Sequence, residues 1–203
     1  MTIKNIVFDV GNVLLRWDPL SIITLNFPER NDHLVLVQKI FKSNVWENLN
    51  LGKISENEAI EQYFYILNID REKLRGLMRA AKESQLPIDG SIELLKNLHK
   101  AQFPLYALTD NVKEIVAYLK EKYDFWSLLQ GMVVSAEIGF IKPSPHIYHY
   151  LLNTYQLNAT ETLFIDDHLP NVKGAKNVGM KAIQFINTPL CLGELEKVGI
   201  KLQ

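Results

Sequence analysis

Short apolar runs separated by segments of helical periodicity restrict this sequence to a narrow set of folds. The runs lie at residues 3–8, Pro104–Leu108, Met132–Ser135, Thr162–Ile165 and Ala182–Phe185. Their apolar residues occupy consecutive positions instead of alternating, which suits strands covered on both faces, as in a parallel sheet. Between them, Ile92, Leu95 and Leu98 recur at helical spacing, as do Ile115, Val116 and Leu119, then Ile147, Tyr150 and Leu151, then Val172 and Ala175. Strand alternating with helix predicts an α/β fold: a doubly wound parallel sheet with right-handed crossovers.

The rhythm breaks between Asp18 and Leu86, where helical patterns occur without a convincing strand. Ser55-Glu56-Asn57-Glu58 has the form of a capping box leading into a helix over Ala59–Leu67, and His33–Phe41 and Arg71–Lys82 supply two more helices. Leu86-Pro87-Ile88-Asp89-Gly90 closes the interval before the strand and helix alternation resumes. The expected organisation is a core of residues 1–17 and 87–203, with a helical insertion at 18–86.

A chain of 203 residues can bury one large core, or a core carrying such an insertion. Lysine and arginine total 22 against 23 acidic residues, so a net charge of -1 offers no field for a nucleic acid backbone. Cys191 is the only cysteine, which excludes a disulfide framework and a cysteine-based zinc cluster. No apolar run approaches the roughly 20 residues needed to cross a bilayer, and the N-terminus runs almost directly into the first predicted strand. A cytoplasmic protein without membrane or nucleic acid partners is expected. Nothing in the sequence speaks to oligomeric state.

In open α/β sheets ligands gather at the carboxyl ends of the strands, so the polar residues that follow the apolar runs carry the chemical argument. Asp9 follows the first run, Thr109-Asp110-Asn111 the second, Lys142 lies beyond the third, and Asp166-Asp167 follows the fourth. Together they suit phosphoryl transfer. A carboxylate can attack phosphorus and split a difficult displacement into two easier steps. The repulsion between two anions must be cancelled, ordinarily by Mg²⁺ on one or two carboxylates. A lysine and a hydroxyl can then bind the phosphoryl oxygens. Asp9 and Asp167 fit the carboxylate roles, Lys142 and Thr109 the other two.

With these motifs in order, the chain resembles the haloacid dehalogenase-like hydrolase superfamily, whose members are mostly Mg²⁺-dependent phosphatases. Phe8-Asp9-Val10-Gly11-Asn12-Val13 is similar to its nucleophile motif, Leu108-Thr109-Asp110-Asn111 to its second, and Ser135 to Pro143, with Lys142, to its lysine motif. Phe164-Ile165-Asp166-Asp167, followed by Asn171 and Gly174-Ala175, is similar to its acidic metal motif. The resemblance implies a Rossmann-like core with a small helical cap. It also implies that Asp9 is nucleophile and Mg²⁺ ligand, with the Gly11 carbonyl and Asp167 completing the protein's share of coordination. Asp166 and Asn171 would orient the site, and Thr109, Asp110, Asn111 and Lys142 would contact a small phosphorylated substrate.

Family phosphatases usually carry a second aspartate two residues after the nucleophile, as general acid to the leaving group. Here that residue is Gly11. Loss of such assistance is typically worth about 10²–10⁴ in rate, which slows esters with poor leaving groups without forbidding the chemistry. The Asp9-Val10-Gly11-Asn12-Val13 form resembles a subgroup that includes sugar-phosphate phosphatases. Asp18, in Arg16-Trp17-Asp18-Pro19, is the nearest replacement carboxylate in sequence, read either as a turn residue or as a substrate contact that relays a proton. Trp17 borders both the motif and the cap and is a further candidate substrate contact, whereas Trp46, Tyr63 and Phe64 read mainly as core. His168, beside the acidic pair, reads as an exposed loop residue, with reach to the site as the alternative, and one of the three cap aromatics could face the substrate.

Two other readings stay open. A 2-haloacid dehalogenase uses the same aspartate on carbon without metal, but has no use for the pair Asp166-Asp167. A non-catalytic phosphate-binding domain needs no nucleophile. A phosphomutase is disfavoured by the missing acid.

Overall fold

The computed structural model describes residues 2–202. Its centre is a five-stranded sheet of β1 (Asn5–Phe8), β2 (Leu105–Thr109), β3 (Gly131–Val134), β4 (Thr162–Asp166) and β5 (Lys181–Gln184). The strands pair in the order β3-β2-β1-β4-β5, every pair parallel, and each coincides with a predicted run to within two residues.

Consecutive apolar residues are required because alternate side chains enter different layers. Ile6 and Phe8 of β1, Leu105 and Ala107 of β2 and Leu163 and Ile165 of β4 pack into one cluster, with Leu94, Leu98, Leu119 and Leu195. Val7, Tyr106, Leu108 and Phe164 point the other way, onto Ile147, Tyr148, Leu151 and Ala175. The first layer is built from α6 (Ser91–Lys100), α7 (Lys113–Lys122) and α11 (Thr188–Lys197), the second from α9 (Pro145–Thr154) and α10 (Leu169–Asn177). A one-turn helix, α8 (Ser135–Ile138), follows β3.

Between β1 and α6 the chain forms α1 (Pro19–Asn26), α2 (His33–Phe41), α3 (Asn44–Asn50), α4 (Glu56–Leu67) and α5 (Arg71–Glu83). The capping box forms as expected: Glu58 N donates to Ser55 Oγ at 3.3 Å and Ser55 N donates to Glu58 Oε2 at 2.7 Å. Helices α1 and α3 escape the periodicity argument because they are short. Both are marked at their starts instead, by Asp18 and Ser43, whose side chains accept from Ser21 N and Trp46 N. The segment leaves and re-enters beside itself, with Arg16 N donating to Leu86 O at 2.8 Å and Ile88 N to Leu14 O at 3.0 Å.

Among the described residues no helix is long and apolar enough to cross a membrane.

Candidate active site

Strand order decides which side chains meet. Because β1 lies between β2 and β4, the residue after β1 is flanked by the ends of both neighbours. Asp9 therefore faces Asp166, the last residue of β4, and Asp167 beyond it. Carboxylate oxygens of Asp9, Asp166 and Asp167 all lie within 4.8 Å of one another. Asp110 and Lys142 close the group, since Lys142 N donates to both Asp110 oxygens at 3.0 and 3.1 Å.

Lys142 is the electrostatic anchor. Its Nζ lies 2.8 Å from Asp9 Oδ1 and 2.8 Å from Asp166 Oδ2, and donates to Leu108 O at 3.2 Å. Three acceptors use all three ammonium donors, so a phosphoryl oxygen could engage Nζ only by sharing or displacing one. Burial opposes the charge on this lysine, but the carboxylates of Asp9, Asp166 and Asp110 outweigh it and hold its pKa above the ordinary range. Asp9 is driven well above the usual carboxylate range by burial, with Lys142 offsetting only part of the effect. Asp110 and Asp167 are raised too, burial being the main cause for each and Asp166 adding to both.

One lysine facing this many buried carboxylates leaves a negative excess that a divalent cation would relieve. The donors are hard oxygens without thiolate or imidazole among the three, which suits Mg²⁺. Asp166 is already committed: its oxygens accept from Lys142 Nζ, from Asn171 Nδ2 at 3.1 Å and from His168 N at 2.8 Å. That leaves Asp9 and Asp167 as the freer carboxylates. Asn171 is itself held through its carbonyl, which accepts from Tyr148 Oη at 2.8 Å.

A cavity of about 460 Å³ opens over these groups. Asp9, Gly11, Trp17, Asp110, Asn111, Lys142, Asp167 and Asn171 line it, so these candidates from the sequence share one space. Three candidates are absent from the lining, among them Asp166, fully buried and bonded to Lys142 and Asn171. Thr109 is buried at the end of β2 and is absent from the lining. Asp18, the expected substrate contact or proton relay, is also absent from the lining. Its carboxylate caps α1, Oδ1 accepting from Ser21 N at 3.0 Å and Oδ2 from Ser21 Oγ at 2.6 Å.

Of the other lining residues, Phe41, Asn50 and Gln85 carry no sequence signal as site residues, whereas Trp46 and His168 take the less favoured of their two readings. Phe41, Trp46, Asn50 and Gln85 come from the helical segment, and His168, though exposed, also reaches the cavity edge. Trp17, Phe41 and Trp46 form one aromatic wall: Trp17 stacks on Trp46 at 5.7 Å between centroids, and Phe41 meets both edge-on at 5.3 and 4.7 Å. Tyr63, by contrast, is core, fully buried with its Oη donating to Ile40 O.

The helical segment is pinned to the sheet at this cavity. Ser135 Oγ donates to Asn50 O at 2.6 Å, and Asn111 N donates to the same Oγ at 2.9 Å. One hydroxyl thus links α3 with the residue after Asp110.

Comparison with known proteins agrees with this geometry. The sequence model described as haloacid dehalogenase-like hydrolase matches residues 3–179. A sesquiterpene phosphatase of Aspergillus oryzae is 26% identical over 197 residues, covering 97% of each chain. A D-ribitol-5-phosphate phosphatase of Bacteroides thetaiotaomicron is 24% identical over 197 residues, covering 90% of this chain and 91% of that protein. Some relatives are longer, and the chain spans 34% of a drimenol cyclase of Aspergillus calidoustus. An enzyme of the same family from Bacteroides thetaiotaomicron, solved with magnesium and inorganic phosphate, superposes with a TM-score of 0.74 at 19% identity, covering 90% of this chain and 93% of that one.

Proposed function

The chain belongs to the haloacid dehalogenase-like hydrolase family, and from that premise we propose that it is a Mg²⁺-dependent phosphatase acting on a small phosphomonoester. The observation that carries this reading is the meeting of the Asp9, Asp166 and Asp167 carboxylates, two of them paired with Lys142, where Asp9, Lys142 and Asp167 line one cavity. A dehalogenase attacking carbon has no need of the added negative charge. Full-length similarity to two proteins named as phosphatases supports the same choice.

In the proposed reaction an Asp9 carboxylate oxygen attacks phosphorus in line. The Asp9–phosphorus bond forms as the bond to the leaving oxygen breaks, and water then cleaves the aspartyl-phosphate to return free Asp9 and inorganic phosphate. Asp9, the Gly11 carbonyl and Asp167 would hold Mg²⁺, which when bound supplies charge neutralisation for the phosphoryl group. Asp166 keeps Lys142 charged and placed beside Asp9, and Asn171 fixes Asp166 in turn. Asp110 and Asn111, which line the cavity beyond the end of β2, would orient the phosphoryl group, with Thr109 buried beside them, as would Lys142 once it shares a donor. Residues 18–86 would act as a cap over the core of 1–17 and 87–203, limiting water at the reacting phosphorus.

The test is phosphate release from a panel of phosphorylated metabolites, with and without Mg²⁺, by wild type and Asp9→Asn. Mg²⁺-dependent release that vanishes with EDTA and in Asp9→Asn is expected. Halide release from 2-haloacids that survives EDTA would replace this reading with a dehalogenase.

A further inference from the structure

The cavity wall opposite Asp9 carries information about the leaving group, an inference that rests on the phosphatase reading above. Among the described residues lining the cavity, Lys142 alone has a permanently positive side chain, and its donors are spent on Asp9, Asp166 and Leu108. The other charged side chains there, Asp9, Asp110 and Asp167, are acidic. Within this cavity a second anionic group on the substrate would meet no further lysine or arginine.

The uncharged polar residues are partly committed already. Asn50 Nδ2 donates to Trp46 O at 3.0 Å, Gln85 Nε2 to Ala81 O at 3.0 Å, and Asn12 Oδ1 accepts from Trp17 N at 2.9 Å. A polyhydroxylated leaving group would compete with these bonds for the same amide groups, and each hydroxyl left unmatched loses a hydrogen bond to water. The aromatic wall, in contrast, is continuous. Beyond it a second cavity of about 250 Å³ shares Phe41, Trp46, Asn50 and Asp110 with the first and is lined further by Lys42, Ser43, Glu47 and Ile141. Phe41 and Trp46 thus border both spaces.

We infer that the substrate is a monophosphate ester whose leaving group is uncharged where it fills the first cavity and presents an apolar or aromatic face to Trp17, Phe41 and Trp46. This narrows the broader expectation of a sugar phosphate toward lipophilic or planar esters.

Non-hydrolysable phosphonates test the inference without relying on turnover. Benzylphosphonate, 2-hydroxyethylphosphonate and phosphonoacetate are titrated into the Mg²⁺-loaded protein by calorimetry. Benzylphosphonate is expected to bind about tenfold more tightly than 2-hydroxyethylphosphonate, with phosphonoacetate weakest. In Trp46→Ala the preference for the benzyl group should fall to about twofold or less. Phe41→Leu, which keeps most of the volume, should also reduce it if Trp46→Ala fails to fold. Equal binding of benzyl and hydroxyethyl phosphonates, tighter binding of the hydroxyl- or carboxylate-bearing ligand, a preference that survives both substitutions, or no binding of any of the three overturns the inference. The phosphatase reading is judged separately. A clear benzyl preference without phosphate release from any ester would remove that reading and leave the aromatic subsite standing.

Discussion

Lys142 Nζ lies 2.8 Å from Asp9 Oδ1, with side chains 1% and 10% exposed, so the proposed nucleophile and its only lysine partner are buried as a pair. Such a pair is costly to break from one side, because the remaining charge has neither water nor partner. Lys142→Met is therefore expected to abolish phosphate release and to destabilise the metal-free protein by about 3–5 kcal/mol in denaturant titration. Added Mg²⁺ should recover part of that stability, since a cation relieves the same carboxylates.

Gly11 can be tested by giving it the missing acid. A Cβ at Gly11 would meet only Trp17 Cβ, at 3.9 Å, an ordinary contact. Gly11→Asp should fold. It is expected to raise kcat on alkyl phosphates by about ten- to a hundredfold, part of the usual range for general acid catalysis, and to leave 4-nitrophenyl phosphate nearly unchanged. Equal gains on both would show that the new carboxylate acts otherwise than by protonating the leaving group.

Gly52 holds the helical segment against the sheet. It has φ +65, and a Cβ there would fall 2.0 Å from Ala136 O, a backbone atom that cannot step aside. Gly139 also has a positive φ, +76, with nothing within 4 Å. Gly139→Ala should cost about 1 kcal/mol from backbone strain alone. Gly52→Ala should cost clearly more in the same thermal or denaturant measurement and also lower turnover, because it displaces the Asn50 and Ser135 contact.

Asp18 serves α1. Asp18→Ala is expected to cost about 1 kcal/mol and Asp18→Asn much less, because asparagine caps nearly as well. Neither should alter kcat or its pH profile. A shifted profile would return Asp18 to the chemistry.

Cys191 is buried in α11, and desolvation, with Glu194 adding, pushes its thiol up to about 12. The thiol form therefore dominates at all pH values below that, and only the thiolate alkylates. Iodoacetamide at pH 8 should leave the native protein unmodified and label it after unfolding in guanidinium, as mass spectrometry would read.

The sequence alone determined the strands and the order of the polar residues that follow them. A strand covered on both faces needs an unbroken apolar run, and the chain must become polar where it emerges. That local rule exposes Asp9, Asp110 and Asp166-Asp167 without coordinates. The capping box at Ser55 and Glu58 is legible for the same reason, being contained within four residues. Tertiary structure decided what no local pattern encodes. Asp18 before Pro19 reads as a turn residue or as a substrate contact, and only the fold shows it capping α1 outside the cavity lining. Trp17, Phe41 and Trp46 become one wall only because α2 and α3 fold back over the end of β1, and helical spacing cannot tell a side chain facing a cavity from one facing the core. Lys142, far from Asp9 in sequence, is drawn between Asp9 and Asp166 because the order β3-β2-β1-β4-β5 sets those strand ends side by side, where low polarity makes their charges act strongly on one another.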